Sequence, residues 1–296
     1  MSGHRDVGGR PGATGAEVVW ANEVLDVWEK ALRRAAGEYT EDEWGFDEEF
    51  AETVFPSFEF LFSKWWRVEV EGVRNVPAHG RVLIVANHAG TIFPFDAIMI
   101  GTAIQKLHPL PRWTRALVLN WVWQLPFVSW FMRRVGGVPA NPANLARLLE
   151  QDEPVMVFPE GVKGFGKPFS ERYRTQRFGR GGFVEVAMRH GTPIVPVAVV
   201  GSEEIYPKLG ESDILARLTG APYFPLTPTF PFLGLAGLVP LPSKWRIEFL
   251  EPIDLSDYPP EAADDPSLVF DLSEEIRDQI QEGIYRGLVE RGPAFL

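Results

Sequence analysis

The chain has 296 residues, 45% apolar and 23% charged, an ordinary composition for a globular protein with a sizeable core. Its net charge of −11 argues against nucleic acid as a partner, because phosphates would meet an on-average negative surface. The lack of cysteine excludes disulfides and thiol nucleophiles and fits a cytoplasmic chain. The 10 Trp and 21 Phe suit an apolar ligand or a membrane interface.

The first 66 residues differ in composition from the rest. Residues 1–15 are polar and Gly-rich, lack a signal-peptide core, and are expected to be disordered. We expect a helical segment over residues 16–66, with apolar residues at helical spacing from Ala16 to about Glu38. Its last part, FPSFEFLFSKWW at residues 55–66, is either a helix packed on the main domain or an interfacial segment that contacts a membrane. No apolar stretch is long enough to predict a transmembrane helix.

From Arg67 onward, short apolar runs alternate with helical patterns. The predicted strands are Arg67–Glu71, Val82–Ala86, Ala116–Leu119, Val155–Phe158, Ile194–Val200 and Trp245–Leu250. The predicted helices are Pro94–Leu107, Trp121–Arg134, Pro142–Glu150, Arg180–His190 and Leu272–Arg291. This alternation predicts one α/β domain over residues 67–296, with a largely parallel central sheet flanked by helices and an N-terminal helical appendage.

Two stretches near the C-terminus have clear patterns. Apolar residues repeat every four positions from Leu272 to Leu288, which predicts the final helix with Asp271 as its cap. The stretch 218–243 has six prolines and no charged residue. Proline prevents it from forming a membrane helix, so a loop over an apolar cavity or on a bilayer is favoured.

The stretch VANHAGTIFPFD, residues 85–96, holds the first candidate site. Ligands of α/β sheets bind beyond the carboxyl ends of the strands, which is where Asn87 and His88 fall. A histidine there can remove a proton from a hydroxyl near neutral pH. Asp96 either orients His88 through its other ring nitrogen or simply favours the positive end of a helix dipole.

The stretch VMVFPEG, residues 155–161, ends at the same predicted edge. Glu160 there is either a solvated acid in a turn or a carboxylate that orders a hydroxyl or a cation. The next residues, GVKGFGKP at 161–168, nearly match the phosphate-binding P-loop, but Pro168 replaces its hydroxyl residue. A nucleotide-hydrolysing enzyme is therefore disfavoured.

A basic run follows, with a single acid, Glu171, among its cations. The cations are Lys163, Lys167, Arg172, Arg174, Arg177 and Arg180. Interleaved glycines and the helix predicted to begin at about Arg180 favour an anion site over a merely solvated loop. Phosphates of coenzyme A, of an acyl-carrier protein or of lipid headgroups are the natural ligands.

Other catalytic patterns are missing from the sequence. It contains no G-x-S-x-G nucleophile elbow and no H-E-x-x-H motif. The five histidines show no metal-ligand spacing, so no metal site is predicted.

Together, Asn87-His88 with Asp96, the FPEG of residues 158–161 and the IVPV of residues 194–197 resemble the glycerolipid acyltransferase superfamily over residues 67–255. The resemblance implies acyl transfer from a thioester to a glycerol or lysolipid hydroxyl. It implies His88 as general base, Asp96 as its orienting carboxylate, and Glu160 and Gly161 as residues that place the acceptor. Backbone N–H groups at Gly90 and Thr91 are the candidate oxyanion donors.

The sequence departs from the family pattern in two places. The family commonly has H-x-x-x-x-D, whereas Asp96 lies eight positions after His88, as in the branch related to monoacylglycerol and diacylglycerol acyltransferases. No arginine follows Gly136-Gly137-Val138, where the family often has one that binds phosphate. The acceptor's phosphate would then need the basic run, or the acceptor is neutral.

The sequence therefore predicts a membrane-associated O-acyltransferase, cytoplasmic and peripheral on the inner face of the membrane. Acyl-CoA or acyl-ACP is the expected co-substrate and a lipid the acceptor, with no permanently bound cofactor. Asn87, Lys163, Lys167, Arg177 and Arg180 are further candidate substrate-binding residues. The alternatives are a non-catalytic lipid-binding protein on the same fold and, less favoured, a P-loop-like phosphate-handling enzyme.

Overall fold

The computed structural model describes residues 41–295. In that range the helices α1 to α8 are Glu48–Phe60, Phe95–Leu107, Pro126–Arg134, Pro142–Glu150, Gly161–Phe165, Gly182–Arg189, Asp213–Thr219 and Pro266–Arg291. The strands β1 to β9 are Glu69–Glu71, Val82–Ala86, Arg115–Val118, Gly137–Pro139, Pro154–Val157, Ile194–Val200, Gly210–Glu211, Pro225–Leu226 and Arg246–Phe249. The disorder predicted for residues 1–15 and the helical pattern from Ala16 to Glu38 lie outside the described residues.

The main sheet has seven strands in the order β1-β9-β6-β2-β5-β3-β4, while β7 and β8 pair separately. Strands β2 to β6 run parallel, whereas β9 is antiparallel to β6 and parallel to β1. In the central strand β2, Ile84 lies between Met156 of β5 and Val195 of β6. The predicted α/β class with a largely parallel sheet is confirmed.

Helices cover both faces of the sheet. Successive side chains of a strand face opposite sides. Leu83 and Val85 therefore join the core under α4, α6 and α8, while Ile84 and Ala86 join the core under α2. Because both faces are buried, β2 is apolar at every position.

The final helix begins earlier than the sequence pattern predicts. Its cap is Asp265 and not Asp271: the Asp265 carboxylate accepts hydrogen bonds from the N–H groups of Ser267 and Leu268. Pro266 occupies the first helical position, where a missing N–H costs nothing. Asp271 therefore lies inside the helix.

The predicted helix Trp121–Arg134 is two elements. A 3₁₀ turn covers Asn120–Gln124, the backbone of Leu125 is extended, and α3 begins at the next residue. The strand β4 was not predicted, because three residues are too few to produce an alternating pattern.

The segment 55–66 packs on the main domain. It continues α1 into a π-helical turn, Leu61–Trp65, that precedes β1. Trp66 is fully buried, stacks on Trp245 with ring centroids 4.9 Å apart, and donates its indole N–H to the Leu241 carbonyl. Trp66 therefore cannot lie at headgroup level, which contradicts the interfacial interpretation at this residue. Between residues 41 and 295, no helix is both long and apolar enough to cross a bilayer.

Candidate active site

His88 and Asp96 form a buried pair at the carboxyl edge of the sheet. His88 follows β2 by two residues, and Asp96 lies in the first turn of α2. His88 Nδ1 is 2.8 Å from Asp96 Oδ2, and that oxygen also accepts the N–H of Ala89 at 2.8 Å. The intervening loop folds back so that eight positions of sequence separation become a direct contact. A carboxylate only accepts, so it holds the proton on Nδ1 and leaves Nε2 able to take another.

The loop after His88 requires a glycine at position 90. Gly90 has φ of +120°, and a Cβ there would lie 2.6 Å from the carbonyl oxygen of Phe93. Among the described residues, nothing accepts a hydrogen bond from the Gly90 N–H. The Thr91 N–H is already used, because it donates to the Phe165 carbonyl at 3.2 Å. Of the two predicted oxyanion donors, only Gly90 has its N–H free of protein partners in this part of the chain.

Asn87 has a structural role that the sequence pattern did not predict. Its buried amide donates to the Val199 carbonyl at 3.0 Å and accepts from the Val199 N–H at 2.8 Å. These two bonds extend the pairing of β2 with β6 past the end of β2. The buried Asn87 amide therefore holds β6 beside β2, and its predicted contact with substrate stays a prediction.

The Glu160 carboxylate is bonded to the backbone at His88 and at Gln176. Its Oε1 accepts the His88 N–H at 2.8 Å, and its Oε2 accepts the Gln176 N–H at 2.6 Å. Burial raises the pKa of Glu160, against the opposing effects of the Lys167 charge and these two N–H groups. Both oxygens of Glu160 are therefore bonded to backbone N–H groups, while its predicted role in placing the acceptor stays a prediction. The neighbouring Gly161 begins α5 and lines the cavity described below.

Replacing Glu160 with glutamine is expected to lower the free energy of unfolding by about 1–3 kcal/mol, since an amide has one oxygen and leaves a buried N–H facing a donor. Burial raises the pKa of this carboxyl, so the folded state holds the proton more tightly than the unfolded chain does. Its contribution to stability is then lost as pH rises through the raised pKa. The difference between wild type and Glu160→Gln in denaturant unfolding should therefore shrink as pH rises. Exposed Glu261→Gln is the control, and an equal loss in both variants would contradict this role.

Lys167 is not part of the exposed basic surface. It is buried, with Nζ 3.0 Å from Glu203 Oε1, 3.8 Å from Glu160 Oε2, and donating to the Arg174 carbonyl at 3.0 Å. Burial acts to lower the pKa of Lys167, but the charges of Glu203 and Glu160 outweigh it and raise the pKa. The charge of Lys167 is therefore neutralised inside the protein, and its place in the structure gives no support to the predicted phosphate contact. The P-loop-like alternative loses its lysine for the same reason.

The other predicted cations of the run are at the surface. Lys163, Arg177 and Arg180 are exposed and have no carboxylate partner within residues 41–295. Arg180 is followed closely by Gly182, where α6 begins. These three residues remain candidates for binding an anion.

In the described part of the chain, no group of three or more carboxylate or imidazole side chains is arranged so that it could bind a metal ion.

An apolar cavity of about 210 Å³ opens beside His88. The His88 ring lies between Phe158 and Phe165, with ring centroids 4.4 and 4.8 Å away. Another part of the wall comes from the 3₁₀ turn, which contributes Trp121, from Leu125 and from α3. The predicted loop 218–243 does not line this cavity. The uncharged run of residues 116–132 was the signal that would have located the wall from sequence.

The chain is similar to several known proteins. A sequence model of the Acyltransferase family matches residues 67–200. An uncharacterized protein of Mycobacterium leprae is 50% identical over 264 residues, covering 89% of this chain and 72% of that protein. Phytyl ester synthase 2, chloroplastic, from Arabidopsis thaliana is 28% identical over 145 residues, 46% of this chain and 20% of that protein. Among solved structures, the chain is similar to the 1-acyl-sn-glycerophosphate (LPA) acyltransferase PlsC from Thermotoga maritima. The match covers 81% of this chain and 78% of the PlsC chain, with a TM-score of 0.51 and 20% sequence identity.

The sheet and the matched family segment define the class: an α/β acyltransferase. Residues 67–200 of the chain belong to the Acyltransferase family.

Proposed function

We propose that the protein is a membrane-associated O-acyltransferase at the cytoplasmic face of the membrane. It moves a fatty acyl group from acyl-CoA or acyl-ACP to a hydroxyl of a glycerolipid or lysophospholipid, with His88 as general base. One observation carries the proposal: His88, held by Asp96 at 2.8 Å, lines an apolar cavity.

The reaction needs one base and no covalent enzyme intermediate. Nε2 of His88 takes the proton of the acceptor hydroxyl as its oxygen attacks the thioester carbonyl carbon. The tetrahedral oxyanion then collapses, the carbon–sulfur bond breaks, and the leaving thiolate takes the proton from His88. The products are an ester and a free thiol. Asp96 stabilises the positive charge that His88 carries between the two proton transfers.

The surrounding groups have supporting roles in this proposal. The free N–H of Gly90 is the candidate donor to the oxyanion. Glu160 holds the His88 backbone by its 2.8 Å hydrogen bond, so it acts as a positioning residue. Exposed Lys163, Arg177 and Arg180 bind phosphates of the donor or of the acceptor.

The cavity receives the acyl chain. Its wall is apolar, so a fatty chain bound there excludes the water that would hydrolyse the thioester. No arginine follows Gly137-Val138: Pro139 ends β4, and Ala140, directly after it, lines the cavity. Among the acceptors named above, this favours a neutral glycerolipid over one that carries a phosphate.

Filling the cavity is expected to shorten the acyl chain that the enzyme prefers. Val128 of α3 lines the cavity, and Val128→Phe adds several carbon atoms of volume there. Long-chain donors should lose about tenfold or more in kcat/KM relative to short-chain donors, because overpacking costs about 1–3 kcal/mol. The exposed Trp130 on the same helix gives the control, Trp130→Phe. An unchanged ranking of chain lengths would contradict the assignment of the cavity.

The function itself is tested with both donors and a panel of acceptors. Labelled long-chain acyl-CoA and acyl-ACP are each offered with lysophosphatidic acid, other lysophospholipids, glycerol phosphate and monoacylglycerol, beside a His88→Ala control. Ester product from the wild type alone supports the transferase. No transfer with any pair, while both proteins still bind lipid equally, would favour the non-catalytic lipid-binding protein.

A further inference from the structure

The segment between the end of β6 and the start of β9 exposes its apolar side chains. We refer to residues 207–239 as the cap. Ile214 and Leu218 lie one turn apart on α7 and are both exposed. Phe232 and Leu235 are 74% and 84% exposed. Single apolar residues at a surface are ordinary, but several large ones exposed within one segment favour a contact surface.

The charges in and around the cap indicate what it contacts. The cap holds two basic and two acidic residues, and none of them lies within 218–239. The adjoining basic run reaches it directly, because the Phe169 N–H donates to the Lys208 carbonyl at 2.9 Å. Arg172 of that run and Arg217 of the cap have no carboxylate partner within the described range. In a chain of net charge −11, a neutral apolar surface beside unpaired arginines complements an anionic lipid surface.

The cap also contacts the loop that carries His88. Tyr223 donates its hydroxyl to the Thr91 carbonyl at 2.7 Å. Its ring lies 6.4 Å from that of Phe165, which stacks on His88 at 4.8 Å. Gly166 lies so close to the Tyr223 ring that a Cβ there would approach to 2.6 Å. Tyr223 and Phe165 therefore connect the cap to the proposed base.

We propose that the cap is the surface by which the protein sits on an anionic bilayer, with the exposed side chains of α7 and of residues 232–239 in the boundary between headgroups and acyl chains. This rests on the proposed function, since a lipid acceptor must pass from the bilayer to His88. It assigns membrane contact to the cap and not to the Trp65-Trp66 segment.

The test is flotation of the full chain with vesicles of phosphatidylcholine, with and without phosphatidylglycerol. The variant is Phe232→Ser with Leu235→Ser, and the control is Val289→Ser, which changes a residue of α8 that is 84% exposed, as Leu235 is. We expect the wild type and the control to float with the anionic vesicles, less so at high salt. The double variant should bind about tenfold or more weakly, because two large apolar side chains are removed from the interface. An unchanged midpoint of thermal unfolding shows that the variant is folded.

Two binding results would overturn the inference: a wild type that binds neither kind of vesicle, or a double variant that binds as well as the wild type. A third would be a wild-type dimer that the double substitution dissociates, because the cap would then be an interface between two copies of the chain. Failure of the proposed function has a different signature. The wild type would then bind vesicles through the cap and yet transfer no acyl group to any acceptor.

Discussion

Replacing His88 with alanine is expected to lower kcat about a thousandfold or more, because the acceptor hydroxyl loses the group that takes its proton. The free energy of unfolding should also fall by about 1–3 kcal/mol, because the buried Asp96 carboxylate loses a hydrogen-bond partner. The backbone N–H of residue 88 still donates to Glu160, so the loop keeps that contact. The measurement is release of free thiol from the acyl donor in the presence of acceptor.

The control for this variant is His190→Ala, which removes a half-buried histidine bonded to the Val186 carbonyl, away from the cavity. It should keep wild-type activity. If His88→Ala retained more than about a tenth of the wild-type rate, proton transfer by His88 would not limit catalysis, and the general-base role would have to be abandoned.

Asp96→Asn is expected to lower kcat about a hundredfold or more with little change in KM. The asparagine amide is close in shape, but it does not supply the negative charge that stabilises protonated His88, and it permits the wrong tautomer. Asp96 also accepts the Ala89 N–H at 2.8 Å, so an amide turned the wrong way would disturb the loop. Asp254→Asn changes an exposed acid far along the chain and is the control.

The double variant His88→Ala/Asp96→Asn separates a working pair from two independent residues. If Asp96 acts through His88, the double variant should be about as slow as His88→Ala alone. Multiplication of the two single effects would instead mean that Asp96 contributes by another route, such as the dipole of α2.

The parts of the site that sequence predicted correctly are local. Residues 82–86 are apolar throughout, so a buried strand was readable, and with it the edge where His88 lies. Asp96 was proposed as the partner of His88 from the family resemblance, while its place in the first turn of a helix offered the alternative explanation. Whether the pair functions as proposed is left to the variants above.

The residues whose structural roles the sequence did not predict have partners far along the chain. Asn87 is bonded to Val199, 112 positions away, and Trp66 to Leu241, 175 positions away. The sequence pattern indicated that Lys167 is a surface cation, whereas in the folded chain its Nζ lies 3.0 Å from Glu203 Oε1. No local pattern distinguishes a lysine that binds phosphate from one neutralised in the interior, because the difference lies in the partner and not in the lysine.

The sequence by itself determined the class of fold, the central strands and the candidate base, since hydrophobic period and strand-end polarity are properties of neighbouring residues. The tertiary structure alone decided which polar groups remain available for chemistry. Buried polar groups generally need a hydrogen-bond or ion-pair partner. Within the protein, such partners are bonded to Asn87, the Thr91 N–H, Glu160 and Lys167. The His88 ring, by contrast, has only Asp96 as a hydrogen-bond partner among residues 41–295, so its other nitrogen faces the cavity side of the site unpaired.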